Sequence, residues 1–344
     1  MLPLFEVTRG MPELITAIGL TTTMLAAFIG LAQRDIKRVV AYSTLNSLGL
    51  MMVALGSGAV GAAMLYLFVH AFFKALLFLG SGSVIHATEA QEVDKLGGLW
   101  SKLPITAPTF IIGALAMAGL VPLSGFWAKD EILVGIDNGN LSPIVLYTLY
   151  ASLPITALYM IRVVMLTFFG KPKDHHVHEH AHESAFPMTL PLLILAGLTF
   201  VSGFVVFEEV GKAMGFHSGF LGFVYNPLEG PEKFHIDWAK SITSVALVSV
   251  GLVAGVWMWG GEAEPARRAG AFSPFFYRLF LNRFYFDELY QLIIDKVVLA
   301  TGRVVAVFDR SVVNDSGVDG VGEATGFLGW AAKYHQTGKL PNYA

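Results

Sequence analysis

Along the chain, windows of about 20 residues almost free of charge alternate with short polar connections, and a hydrocarbon core roughly 30 Å thick needs about that many helical residues. Seven spans are read this way: Pro12 to Ala32, Val39 to Leu55, Val60 to Ala87, Pro104 to Asp137, Pro143 to Phe169, Pro187 to Val206 and Ala239 to Gly260. Four of them begin on a proline, which suits a first helical turn because its N–H has no partner there. The pattern predicts an all-α, polytopic membrane protein. The first span is too long for a cleavable signal and sits in a run of others. The fourth is unusual, because a straight helix over 104–137 would reach about 51 Å. Pro122 and Gly125, in Val121-Pro122-Leu123-Ser124-Gly125-Phe126-Trp127-Ala128-Lys129-Asp130, predict a break near 122–128. Broken backbone at that depth is tolerated only within protein or beside a water-filled cavity.

After Gly260 the pattern changes. Glu288, Gln291, Asp295, Lys296, Arg303 and Asp309 recur at near-helical spacing among Leu289, Leu292, Ile293, Val297, Val298, Val304 and Phe308. This predicts an amphipathic helix of 284–310 that does not span but lies along the membrane or along neighbouring helices. Residues from Ser311 onward, rich in Gly and Asp, read as loop. The expected organisation is an N-terminal stub (1–11), a five-span unit (12–169), a His-rich cytoplasmic loop (170–186), two further spans (187–260), a linker (261–283), the lateral helix (284–310) and a C-terminal loop (311–344).

Composition narrows the function. Of 344 residues, 54% are apolar and 14% charged, which excludes an ordinary water-soluble protein; mean hydropathy is +0.60. The absence of cysteine excludes a thiol nucleophile, Cys-ligated zinc and an iron–sulfur cluster, so any redox link is indirect. With 23 Lys+Arg against 26 Asp+Glu and no basic run, nucleic-acid binding is set aside. Arg34, Lys37, Arg38, Lys95, Lys102, Lys171 and Lys173 fall on one side of the spans, against Lys212 and Lys233 on the other, which puts the first side in the cytoplasm.

Charges inside spans are the strongest chemical signal. Lys74 lies at the centre of the third span, roughly 20 Å from either end and too far to snorkel. An ammonium there costs about 2.5–3.5 kcal/mol, so a partner or water-filled path is expected. His70 lies one turn earlier on the same face and titrates near neutral pH when unperturbed. The two suggest a proton relay; the structural alternative is that Lys74 ties helices together through carbonyl or carboxylate contacts. Lys129 and Asp130, at the broken helix, are read either as a transporter feature or as a salt bridge capping the second half-helix. Asp35 and Lys37 are secondary candidates that also read as loop charges.

Two motifs are weaker. Gly56-Ser57-Gly58-Ala59-Val60-Gly61 matches G-x-G-x-x-G, but a membrane helix precedes it where the dinucleotide fingerprint needs a strand. His178-Glu179-His180-Ala181-His182 matches H-E-x-x-H, which keeps an intramembrane zinc metalloprotease as an alternative. That motif needs a helix, whereas this segment reads as a polar loop carrying weak metal candidates His178, His180 and His182.

Three stretches carry a family resemblance: Gln33-Arg34-Asp35-Ile36-Lys37-Arg38-Val39-Val40-Ala41-Tyr42-Ser43-Thr44, His70-Ala71-Phe72-Phe73-Lys74-Ala75-Leu76-Leu77-Phe78-Leu79, and Ser124-Gly125-Phe126-Trp127-Ala128-Lys129-Asp130-Glu131. With them the chain resembles, nearly end to end, the subunit L family of proton-pumping NADH:quinone oxidoreductase (respiratory complex I), called subunit 5 in mitochondria and F in chloroplasts. The first two stretches are shared with the sister subunits M and N and with Mrp-type Na⁺/H⁺ antiporters, whose subunits form the other alternative. Phe284-Tyr285-Phe286-Asp287-Glu288-Leu289-Tyr290 and then Asp309 to Gly320 favour L, because they resemble the start and end of its lateral helix.

The resemblance implies that the first five spans are the second antiporter-like repeat, with His70 and Lys74 in the central hydrophilic axis and Lys129 and Asp130 near the far-side exit. Tyr66 occupies a position where many members carry a second histidine. It also implies a chain without the family's first repeat and last helix, as in a fragment. FMN, iron–sulfur clusters and quinone would belong to partner subunits and none to this chain. The implied partners are the other membrane subunits, M and N along the lateral helix, and the lipid bilayer. The membrane would be the bacterial plasma membrane, or the mitochondrial inner or thylakoid membrane by family.

Overall fold

The computed structural model describes residues 10–138, 142–215, 219–224, 236–261, 266, 268, 270, 273–335 and 338–339. Lys233, most of the N-terminal stub and parts of the linker lie outside them. In hydrocarbon the backbone must satisfy its own polar groups, and each apolar stretch forms a helix. In chain order these are α1 (Met11–Ala32), α2 (Ile36–Gly56), α3 (Val60–Thr88), α4 (Thr106–Ala118), α5 (Ser124–Asn138), α6 (Pro143–Phe168), α7 (His175–His180) and α8 (Phe186–Val201). Short helices α9 (Glu208–Ala213) and α10 (Gly219–Val224) precede α11 (Trp238–Trp259) and α12 (Pro274–Leu281). Among the described residues six helices are long and apolar enough to cross a membrane: α1, α2, α3, α6, α11, and α8 with its 3₁₀ continuation Ser202–Val206. The protein is an integral, multi-pass, all-α membrane protein.

The remaining span is two half-helices. α4 and α5, with 13 and 15 residues, are each too short to cross. The break lies at 119–123, earlier than the sequence reading. Gly119 adopts φ +92°, and its N–H bonds Leu115 O and Ala116 O at 3.0 and 3.1 Å, closing α4 with a left-handed cap. Gly125 is not part of the break; it sits in the first turn of α5, where a Cβ would overlap the main chain of Ala116. Its role is close packing of one half on the other. A comparable approach joins α1 to α2, where a Cβ on Gly19 would come within 2.7 Å of Gly49 O.

Three polar segments differ from expectation. The His-rich loop contains α7, N-capped by Asp174 through His176 N and Val177 N. The linker contains α12, whose Phe280 stacks on Phe28 of α1 with centroids 5.0 Å apart. The largest correction is C-terminal. Residues 282–344 form a separate compact unit, in which α13 (Phe286–Ile293) and α14 (Leu299–Phe308) are joined by a π-turn. A π-helix, Asp309–Asp319, leads on to α15 (Gly320–Ala332), so the segment read as loop from Ser311 is helical. Gly317, Gly320 and Gly322 all stay out of the left-handed region, so none stops the helix. Turn-forming side chains bond inside the wide turns instead, as Ser316 Oγ to Ser311 O at 2.8 Å and Asn314 Nδ2 to Asp309 Oδ2 at 3.3 Å.

Candidate functional site

α3 places Lys74 midway along its 29 residues, with Tyr66 and His70 on the same stripe at four-residue spacing. All three are buried, Lys74 at 5% exposure and Tyr66 at 0%. The Lys74 ammonium donates to Ser43 Oγ and, at 3.3 Å, to Val40 O, both on α2. No carboxylate lies within ion-pair distance of it among the described residues, so an internal cation is held by neutral oxygens alone. One turn on, Ser47 Oγ bonds Tyr66 OH at 3.1 Å and also lies 3.5 Å from Met117 Sδ, at the end of α4.

The broken span supplies the second cation. Lys129 Nζ reaches back from α5 to Met117 O at 2.6 Å and Ala118 O at 3.4 Å, the last carbonyls of α4. Those carbonyls have no intrahelical donor and carry the negative end of the helix dipole, which attracts an ammonium. Lys129 is thus held across the break and turns away from Asp130, which accepts a 2.7 Å bond from Ser241 on α11. Among the described residues neither Lys129 nor Asp130 forms the salt bridge considered from sequence. The polar atoms run from Lys74 and Ser43 through Ser47 and Met117 to Lys129, and His70 lies one turn before Lys74 on α3. His70 Nε2 has no protein partner among the described residues.

From Asp130 the polar residues continue toward the end where α5 stops and α11 starts. Lys240, one residue before Ser241, pairs with Asp137 at 2.7 Å and with Asp237 at 3.2 Å. Asp237 also caps α11 through Ala239 N and Lys240 N, and these bonds hold its carboxyl below the usual carboxylate range.

Other candidates fall outside the axis. Asp35 accepts from Arg38 N at 3.0 Å as the N-cap of α2, and Lys37 is exposed. The H-E-x-x-H residues do not share a helix: α7 ends at His180, and His182 follows the extended Ala181. His178 Nε2 lies 3.2 Å from Gly98 O, while the Nδ1 atoms of His180 and His182 face His176 O and His180 O. Among the described residues no group of three His, Asp or Glu is arranged to hold a metal ion. Sequence reading missed Ser43 and Ser47, Lys240, and Arg162, a buried charge near the C-terminal end of α6.

Residues 1–156 match the family model described as NADH:quinone oxidoreductase/Mrp antiporter, transmembrane. The whole chain aligns with longer relatives: NADH-quinone oxidoreductase subunit L of Rickettsia bellii, 34% identical over 99% of this chain and 53% of the relative. NAD(P)H-quinone oxidoreductase chain 5 of Picosynechococcus is 36% identical over 100% of this chain and 55% of its own length. The chloroplastic NAD(P)H-quinone oxidoreductase subunit 5 of Chaetosphaeridium globosum is 34% identical over 100% and 55%. Over residues 1–156 this chain is similar to the NADH:quinone oxidoreductase/Mrp antiporter family. Within it the likeness is to the L/5 type, and the chain spans 53–55% of the length of these three relatives. The family's match covers α1 to α5 and the first half of α6, which together carry Tyr66, His70, Lys74, Lys129 and Asp130.

Proposed function

We propose that this chain is a proton-translocating part of the membrane arm of an NADH:quinone oxidoreductase, moving protons along the Lys74–Lys129 axis while electrons travel in partner subunits. One observation carries the reading: Lys74 is buried at mid-span and held by neutral oxygens, an arrangement expensive for a purely structural ammonium and suited to one that gains and loses a proton. His70, with a buried nitrogen free of protein partners, would exchange protons between the two lysines. Asp130, Ser241 and the Lys240–Asp137–Asp237 cluster would form the outlet on the far side. Tyr66, bonded to Ser47, would orient water beside the axis without itself titrating near pH 7.

FMN, iron–sulfur clusters and quinone would be bound by the partners, and this chain would bind none of them. The 282–344 unit, with its row of exposed apolar residues, would lie along antiporter-like neighbours of the M and N type, in a bacterial plasma membrane. Purification from native membranes tests the reading: this chain should travel with an NADH-oxidising assembly whose turnover acidifies inverted vesicles without added Na⁺. Na⁺-dependent exchange in a complex that oxidises no NADH would assign it to an Mrp-type antiporter instead.

A further inference from the structure

At the opposite end of the bundle from the Lys240 cluster, a cavity of about 700 Å³ opens among the ends of α1, α6 and α11, the loop after α6, and α12. Its polar groups include Arg162, Lys173 and Asp94, and much of the rest is apolar or aromatic, with Leu158, Met258 and Phe276 among the walls. Arg162 is 7% exposed, yet its only hydrogen-bond partner among the described residues is Gln33 O, at 2.7 Å. A guanidinium has five N–H donors, so most remain for the cavity. Its Cζ lies over the Trp259 ring, 6.0 Å from the centroid.

Lys173 likewise donates to a carbonyl, Val93 O, at 3.1 Å. The one acid among the described residues that line the cavity, Asp94, is engaged by Arg34 at 3.5 Å, and Arg34 also donates to Tyr277 OH at 3.1 Å. Neither cation lies within ion-pair distance of a carboxylate among the described residues; buried Arg162 and the more exposed Lys173 share the field of Asp94, which Arg34 already engages. A buried guanidinium without a directly paired carboxylate is costly, and an anion in the cavity would offset that cost.

The position selects the anion. Three helices long and apolar enough to cross a membrane end here, on the side that carries most of the loop Lys and Arg, and the polar headgroup region of a bilayer flanks the ends of such helices. Positive charge beneath an apolar, aromatic wall matches a molecule that is anionic at one end and hydrocarbon at the other. We propose that this cavity binds an anionic phospholipid, with Arg162 and Lys173 on its phosphate and an acyl chain along Leu158, Met258 and Phe276.

Mass spectrometry of the purified, delipidated protein in its complex, titrated with phosphatidylglycerol, phosphatidylcholine or inorganic phosphate, tests this. Phosphatidylglycerol adducts should form at several-fold lower concentration than phosphatidylcholine adducts, and millimolar phosphate should not displace them. Lys173→Gln should weaken phosphatidylglycerol binding about fivefold. Arg162→Gln should weaken it more, and because Arg162 also ties α6 to Gln33, Leu158→Trp provides a variant that fills the cavity and keeps both charges. Equal retention of the two lipids, displacement by free phosphate, or unchanged binding in both Lys173→Gln and Leu158→Trp would overturn the proposal.

Discussion

Lys129 Nζ lies 2.6 Å from Met117 O, so the ammonium of the second half-helix holds the open end of the first. The same bond places a cation at the end of the polar string that starts at Lys74. Replacing Lys129 by Met should leave Met117 O and Ala118 O without this donor, costing about 1–3 kcal/mol of stability. It should also abolish proton transport. Lys129→Arg keeps the charge and can still donate to both carbonyls, but a guanidinium does not give up its proton in a protein, so assembly should persist with slower transport. Thermal unfolding and vesicle acidification measured on both variants check this, and full pumping by Lys129→Met would reduce Lys129 to a helix cap.

Gly125 sets how closely the two halves of the broken helix pack. A methyl at this position collides with Ala116 main chain, so Gly125→Ala should destabilise by about 1–3 kcal/mol and lower the amount of assembled protein. Gly82→Ala on α3 meets nothing within 4 Å and should be neutral or slightly stabilising. Comparing melting temperatures of the two alanine variants in detergent separates packing from loss of backbone freedom; equal melting would contradict the packing role.

Glu183 anchors the start of the broken helix. Its carboxylate accepts from Ile105 N at 2.7 Å, Thr106 N at 3.1 Å and Thr106 Oγ1 at 2.6 Å, capping α4 from a loop more than 70 residues away. Glu183→Ala should cost about 1.5–3 kcal/mol, and Glu183→Gln, which retains one acceptor oxygen, clearly less. Hydrogen exchange along 104–118 reads the effect, and protection unchanged in the alanine variant would show that the cap contributes nothing.

The helices of the C-terminal unit expose their apolar residues, Leu292 at 57% and Val304 at 69%. Single changes such as Leu292→Ala should shift stability by less than about 0.5 kcal/mol and leave assembly intact. Val304→Pro, inside α14, removes a helical hydrogen bond and should cost about 3 kcal/mol. Blue native electrophoresis of the complex distinguishes the two, with loss of assembly expected for the proline variant alone.

These features differ in how far the sequence displays them. Lys74 is visible because a charge at the centre of an apolar run has few explanations, and Pro122 marks a discontinuity because it lacks an N–H. The partners of Lys129 are invisible, since Met117 O and Ala118 O are main-chain atoms whose availability depends on where α4 stops. Gly125 looks like a turn glycine and is a packing glycine, a distinction that requires the neighbouring helix. Ser43 and Ser47 are ordinary helix serines until α3 brings Lys74 and Tyr66 against them. In the C-terminal segment Gly and Asp content suggested loop, whereas Val312, Val313, Val318 and Val321 sit in helix because no glycine there turns left-handed.

Proton transport through Lys74 is the central claim, and NADH-driven acidification of inverted vesicles carrying Lys74→Ala, normalised to quinone reduction, tests it most directly. The expected result is an assembled complex whose acidification per quinone reduced falls well below the parental value. Parental pumping and parental turnover in that variant would make Lys74 a structural charge held by Ser43 and Val40, and the relay through His70 would be wrong.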